Sequence, residues 1–334
     1  MTAYDAPRSP EPAGGAGEPP REHGMSRRQL MRHAGWFGGA VVLTVAGGEV
    51  ISHVAGSRDT TARDTTARAA AAPSAALRFV QVSDSHIGFQ GPANTDVVGS
   101  FTAAIDQVNG LGFRPDFVMH SGDLTHLSTA GQFDQVRQMM AGLRTDRVFT
   151  VPGEHDSIGD AGRAYRQIFG KGTLGDGWYS FDTHGVHFLA LVNTLSLEKL
   201  GHLGTEQIDF VRKDLAGLPS DRPVVVFSHI PLFAMYPQWG WSTDDALKVI
   251  ALLRRFSSVT CLNGHVHQLF TKTEGNITFH SATTTAYPLP KPGRAATPTP
   301  QVVPARRLKD ALGIRTVGFR RGDQQLAVKD ERLA

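Results

Sequence analysis

Five apolar runs in this chain each end on a histidine, a carboxylate or both, and that arrangement limits the fold more tightly than any other feature. They read "LRFVQVSDSH", "DFVMHSGD", "DRVFTVPGEHD", "PVVVFSHI" and "VTCLNGHVH". Helical periodicity fills the gaps between the first three, in "TDVVGSFTAAIDQVNGL" and "AGQFDQVRQMMAGL", so the folded part opens as βαβαβ. The rhythm then changes. "WYSFDTHGVHFLALVNT" reads as a hairpin about His184 and Gly185, which a purely doubly wound sheet would not contain. Further helices are predicted over 205–218 and 244–256, strands over 269–273 and 276–282, and a closing hairpin about Gly322 and Asp323. The predicted fold class is α/β, two stacked mixed β-sheets sandwiched by α-helices in four layers.

The domain occupies 77–334, with a Pro- and Thr-rich loop over 283–310, and what precedes it has another character. Residues 1–33 open with a Pro-, Gly- and Glu-rich stretch expected to be disordered, and carry Arg27-Arg28 near their end. An apolar, Gly-rich segment follows within 34–56, and 57–76 is a low-complexity linker containing "RDTTARDTTARAAAA". Paired arginines before an apolar run are the pattern of a twin-arginine export signal. From Ala34 to Gly48 is fifteen residues, short of the roughly 20 that a bilayer span needs, which favours a signal over an anchor. The expected location is extracellular or cell-envelope, reached through the twin-arginine translocation machinery, with a membrane tether if the signal stays attached. The charge balance, 34 Lys and Arg against 31 Asp and Glu, predicts no nucleic-acid stripe. The single cysteine, Cys261, excludes an internal disulfide and a thiolate zinc cluster, so a metal would have to be held by imidazole, carboxylate or amide groups.

In open α/β folds ligands bind beyond the carboxyl ends of the strands, where these motifs put Asp84 and His86, Asp123, Glu154 with His155 and Asp156, His229, and His265 with His267. Side chains at i and i+2 of an extended chain point the same way, so Asp84/His86 and His265/His267 can each face one point. Gly122, Gly153 and Gly264 precede their polar residues and would allow the backbone to turn them inward. Carboxylates and imidazoles gathered from five loops repel one another unless cations sit among them.

In this order, "DSH", "GD", "GEHD", "SHIP" and "GHVH", the motifs resemble those of the calcineurin-like metallophosphoesterases over about residues 77–282. The resemblance implies two metal ions, of Mn, Fe or Zn. The first would be held by Asp84, His86, Asp123 and His267, the second by Asp123, position 154, His229 and His265. It also implies that His155 binds the phosphoryl oxygens or protonates the departing alkoxide, with Asp156 orienting its ring and raising its pKa. Where the family has Asn, this chain has Glu154, longer by one methylene and anionic. Bound, it would hold cations more tightly while lowering their Lewis acidity; unaccommodated, it would swing aside and weaken the second site. The tyrosine that iron-bearing purple acid phosphatases carry three residues past the bridging Asp is here His126.

Substrate contacts are expected from His126, from Tyr236, Trp239 and Trp241 in the loop after His229, and from Tyr287 in the Pro-rich stretch, beside Lys291 and Arg294. The same aromatic loop could instead pack on itself, and the Pro-rich stretch could be a plain surface connection. The function implied is an exported dinuclear phosphoesterase acting on phosphodiesters or small phosphomonoesters through a metal-bridging hydroxide. Its rivals are a non-catalytic metal-binding envelope protein in which Glu154 has quenched turnover, and a tethered scaffold.

Overall fold

The first apolar run becomes β1, Leu77–Val82, buried everywhere except at Arg78. In the computed structural model the described residues are 76–334 apart from 196 and 198, with a short antiparallel pairing of Val45–Ala46 and Glu49–Val50. Apart from that pairing, the predicted N-terminal stretch, export signal and linker lie outside the described residues. Among the described residues no helix is long and apolar enough to cross a membrane.

The strands after β1 are β2 Phe117–His120, β3 Val148–Thr150, β4 Tyr179–Thr183, β5 Val186–Ala190, β6 Val224–Ser228 and β7 Val259–Asn263. They continue with β8 Phe270–Glu274, β9 Ile277–Ser281, β10 Gly313–Phe319 and β11 Ala327–Arg332. One sheet runs β11-β10-β1-β2-β3 and the other β8-β9-β7-β6-β5-β4. Both are mixed: β1, β2 and β3 are parallel, as are β5, β6, β7 and β9, while β4, β8, β10 and β11 pair antiparallel. Burial follows position. Strands β2, β5, β6 and β7 are buried at every residue, as interior strands covered on both faces must be, whereas the edge strands β8 and β11 alternate with solvent.

Helices α1 Val97–Asn109, α2 Ala130–Met140 and α3 Arg163–Phe169 cover the outer face of the first sheet, burying Phe101, Ile105, Phe133, Val136 and Tyr165. On the second sheet, α4 Thr205–Leu215 and α5 Ala246–Leu253 bury Ile208, Val211, Val249 and Leu253. Phe79, Phe117, Phe188 and Phe227 fill the space between the sheets. These are the predicted four layers.

Local chemistry shifted some boundaries. Helix α1 starts at Val97 because the Asp96 carboxylate accepts from the Gly99 N–H at 2.7 Å, a cap that stabilises by about 1 kcal/mol. Helix α5 is shorter than predicted: the Asp245 carboxylate turns away to the Leu203 and Gly204 N–H groups, both at 2.9 Å, and serves the start of α4 instead. The short helices α3 and α6, Leu308–Ala311, were too brief to show a period in the sequence.

Candidate metal centre

Strand ends from both sheets place the predicted residues together. His86 Nε2 lies 3.2 Å from His267 Nε2 and 3.4 Å from Asp123 Oδ2, and His267 Nε2 lies 3.3 Å from Asp84 Oδ1. On the other side of Asp123, the same Oδ2 is 3.4 Å from His229 Nε2. Glu154 joins this second group, with Oε2 2.9 Å from His229 Nε2 and Oε1 2.8 Å from His265 Nδ1. Asp123 thus stands between two donor groups. Atoms that bind one ion at about 2.0–2.2 Å sit roughly 3–3.5 Å from each other, which is the spacing found here.

The hydrogen bonds around the rings show which atoms are donors to a cation. His229 Nδ1 meets the Ser121 carbonyl at 2.7 Å and His267 Nδ1 meets the Tyr287 carbonyl at 2.6 Å. A carbonyl only accepts, so each Nδ1 carries the proton, and each neutral ring presents a lone pair at Nε2. His229 Nε2, both nitrogens of His265, Asp84 Oδ2 and Glu154 Oε2 are buried without a hydrogen-bond partner. The approach of Glu154 to His229 and His265 is therefore close in distance but not aligned as a hydrogen bond. Ligand atoms of Asp84, His86 and His267, of Asp84, Asp123 and His229, and of Glu154, His229 and His265 lie within 4.8 Å of one another, an arrangement of lone pairs and carboxylates that fits a cation.

Without a cation, the charges of this set act on one another. Burial disfavours charge on Glu154, but His265 and His229 outweigh it and hold its carboxyl well below the usual range. Burial likewise opposes protonation of His229, and Asp123 and Glu154 overcome it, raising the imidazole well above its ordinary value. Burial together with the neighbouring His155, His267 and His126 keeps His86 far below it.

The backbone is strained at the same residues. Asp84, His86, Asp123, His265 and His267 have φ of 54°, 41°, 52°, 66° and 54°, left-handed conformations that cost non-glycine residues about 1–3 kcal/mol each and persist where surrounding structure over-determines them. Gly122, at φ 100°, supplies the predicted turn. Gly153 and Gly264 have no positive φ and are required for space: a Cβ on Gly153 would meet the Asp123 carboxylate and backbone N, and one on Gly264 the Ser83 hydroxyl and Asp84 Oδ2.

His155 lies at the rim of this centre. Its backbone N–H donates to Asp123 Oδ1 at 2.9 Å and its ring stands edge-on to His86, with centroids 4.7 Å apart. Burial opposes its protonation, and Asp123 and Glu154 raise its pKa overall. The expectation for Asp156 needs correction. Its carboxylate does not orient the His155 ring; it accepts from the N–H groups of Gly153, Leu124 and Thr125 and from the Thr125 hydroxyl, at 2.8–3.0 Å. The ring is held instead by the His126 carbonyl, 2.7 Å from His155 Nδ1. Asp156 acts on His155 through charge alone, and burial with the Asp123 carboxylate pushes its own pKa up to about 6.

The expected substrate contacts divide. Trp241 is 1% exposed and cannot stack on a ligand, and Trp239 packs edge-on between it and Tyr236, so the aromatic loop packs on itself. Tyr287 is 3% exposed and lies against His86, His267 and Phe89 rather than at an open mouth. The Pro-rich stretch is no plain surface connection over its first part. The Thr284 hydroxyl donates to the Asp84 carbonyl at 2.8 Å and Gln268 holds the Pro290 carbonyl at 2.8 Å, whereas Lys291 and Arg294 are exposed. The backbone carbonyls of Ser121, His126 and Tyr287 were invisible to sequence reasoning, because a carbonyl carries no residue signature.

The calcineurin-like phosphoesterase pattern matches residues 77–269. The chain belongs to that family. It is 25% identical over 203 residues to a glycerophosphodiester phosphodiesterase of Enterobacter lignolyticus, covering 58% of this chain and 72% of the relative. It is 22% identical over 220 residues to a 3',5'-cyclic-nucleotide phosphodiesterase of Nostoc sp., covering 63% and 79%. Its fold matches a dimetal phosphatase of Danio rerio with a TM-score of 0.59 at 14% identity, over 79% of this chain and 98% of the other. The calcineurin-like chain is thus a metal-dependent phosphoric ester hydrolase, and its family fold places the candidate metal ligands at the strand ends described above.

Proposed function

We propose that this phosphoesterase hydrolyses phosphodiesters, and small phosphomonoesters more slowly, at a dinuclear centre. Asp84, His86, Asp123 and His267 would hold one ion, and Asp123, Glu154, His229 and His265 the other. The observation that carries the reading is the position of Asp123 Oδ2, 3.4 Å from both His86 Nε2 and His229 Nε2. Bound ions supply an activated water and neutralise charge on the phosphoryl oxygens. His155 is placed to bring a proton to the departing alkoxide from Nε2, since the His126 carbonyl occupies its Nδ1.

Charge supports the diester preference. Three carboxylates, Asp84, Asp123 and Glu154, leave one net positive charge on two divalent ions, which suits a singly charged diester better than a doubly charged monoester. The relatives named as phosphodiesterases agree with it. We further propose export by the Arg27-Arg28 signal, with the ions acquired before translocation; Arg27→Lys with Arg28→Lys would retain the protein in the cytoplasm, and its exit unchanged would refute this part.

The test is hydrolysis of a chromogenic phosphate diester and monoester after loading with Mn, Fe or Zn, alongside metal analysis. Two ions per chain and a higher kcat/KM for the diester are expected, with Asp123→Asn inactive. Two ions bound with no rate above Asp123→Asn would establish the non-catalytic reading. In that case Glu154→Asn, which restores the neutral oxygen donor of the family, should release turnover.

A further inference from the structure

Three imidazoles in the centre have a partner at their second nitrogen, and these partners are not alike. For His229 and His267 it is a backbone carbonyl, of Ser121 and Tyr287, held in place by the chain itself. For His86 it is a side chain: Nδ1 lies 3.4 Å from His126 Nδ1. His86 Nε2 faces Asp123 and His267, so a neutral His86 can offer a lone pair there only with its proton on Nδ1. That proton then points at His126 Nδ1, which must accept.

His126 is fixed for this task from several sides. Its backbone N–H donates to the Ile87 carbonyl at 3.0 Å. Its ring stacks on His155, with centroids 4.7 Å and planes 19° apart, and stands at 89° to Phe89. Its carbonyl holds His155 Nδ1 at 2.7 Å. One residue therefore reaches both a candidate metal ligand and the candidate proton donor.

We propose that His126 is a positioning residue, its Nδ1 accepting from His86 Nδ1–H so that His86 Nε2 is kept as a metal-binding lone pair. This rests on the dinuclear reading for its consequence but not for its geometry. Partners of this kind, bonded to a ligand rather than to the ion, change metal affinity by about 10–100-fold when removed. Because 3.4 Å is long for a hydrogen bond, the low end of that range applies.

The test uses the full chain with two substitutions. His126→Phe keeps a ring to stack on His155 but has no acceptor; His126→Asn puts an oxygen close to where Nδ1 stood. Metal competition against a chelator should show one of two ions about tenfold weaker in His126→Phe, the other unchanged, and recovery in His126→Asn. In zinc-loaded protein, where the ion takes the Nε2 lone pair, the His86 Nδ1 proton should exchange slowly with solvent in the wild type and clearly faster in His126→Phe. Equal affinities in wild type and His126→Phe, or no recovery with His126→Asn, would overturn the proposal, as would a His86 Nδ1 proton that exchanges equally fast in both zinc-loaded proteins. Loss of a whole equivalent of metal in both variants would make His126 itself a ligand and overturn it too. A wild-type protein that takes up no ion would instead sink the dinuclear reading, whereas two ions bound equally well by wild type and His126→Phe would sink this proposal alone.

Discussion

The space between the two sheets has an aromatic end and a polar end, and strand β1 passes through both. Phe79 stacks on Phe117 at 4.6 Å and meets Phe188 and Phe227 edge-on, both at 5.8 Å. Two residues on, and on the same face of the strand, Gln81 donates to the Ser121 hydroxyl at 2.8 Å and receives Arg315 at 3.2 Å. Arg315 is 1% exposed; it reaches the Ser281 carbonyl at 2.9 Å in the other sheet and pairs with Asp330 at 2.8 Å. Apolar contact holds the sheets together without regard to direction, whereas hydrogen bonds fix the relative position of groups to a few tenths of an ångström. The polar end is the one that leads into Ser83, Ser121 and Asn263, the residues just before the candidate ligands.

If that division holds, damage at the two ends should have different consequences. Phe79→Ala should cost the most stability, about 3–5 kcal/mol in urea unfolding, with two ions still bound per folded chain. A loss of metal in proportion to stability would erase the distinction. Gly153→Ala should do the reverse, because its Cβ would displace Asp123: metal affinity should fall by about a hundredfold while unfolding stays cooperative. Gln81→Leu removes the donor to the Ser121 hydroxyl, which keeps Ser83, and the nearer acceptor of Arg315 Nη1, which keeps the His280 carbonyl at 3.5 Å; it should lower stability by about 1–3 kcal/mol and also weaken metal binding, which an apolar substitution at the aromatic end would not.

The smallest effect is expected on the outer face of the second sheet, where His187 on β5 lies 2.7 Å from Asp214 on α4 and 3.3 Å from Asp182. Burial disfavours the charged imidazole, but Asp214 and Asp182 outweigh it and raise its pKa above 6.5; burial is likewise outweighed at Asp214, whose pKa falls below 3.8. The His187 contribution is complete below 6.5 and fades as pH rises through the raised value; that of Asp214 is complete above 3.8 and fades as pH falls through the lowered one. Comparing unfolding of wild type and His187→Gln across pH should therefore show the largest difference between those two values, shrinking on the alkaline side. A constant difference would mean that the pair acts by packing alone.

The candidate site was legible because each donor follows a strand by one to four residues, and strands carry a strong apolar signal. Glu154 shows the limit of that legibility. Its extra methylene left two outcomes open in the sequence, and only the path of the 3-10 turn at His155–Ser157 brings its carboxylate to His229 and His265. Trp241 shows another limit: an aromatic residue near a ligand reads as a possible contact, and burial depends on neighbours remote in the chain.

By itself the order of amino acids determined the strand ends, the candidate donors and the two-sheet class, since these depend on side-chain chemistry and a period of two or 3.6 residues. Tertiary structure alone decided which nitrogen of each ring faces inward, what supports it from behind, and where Asp156 spends its carboxylate. Those choices rest on backbone carbonyls and N–H groups, which every residue shares and which acquire direction only once distant segments have packed.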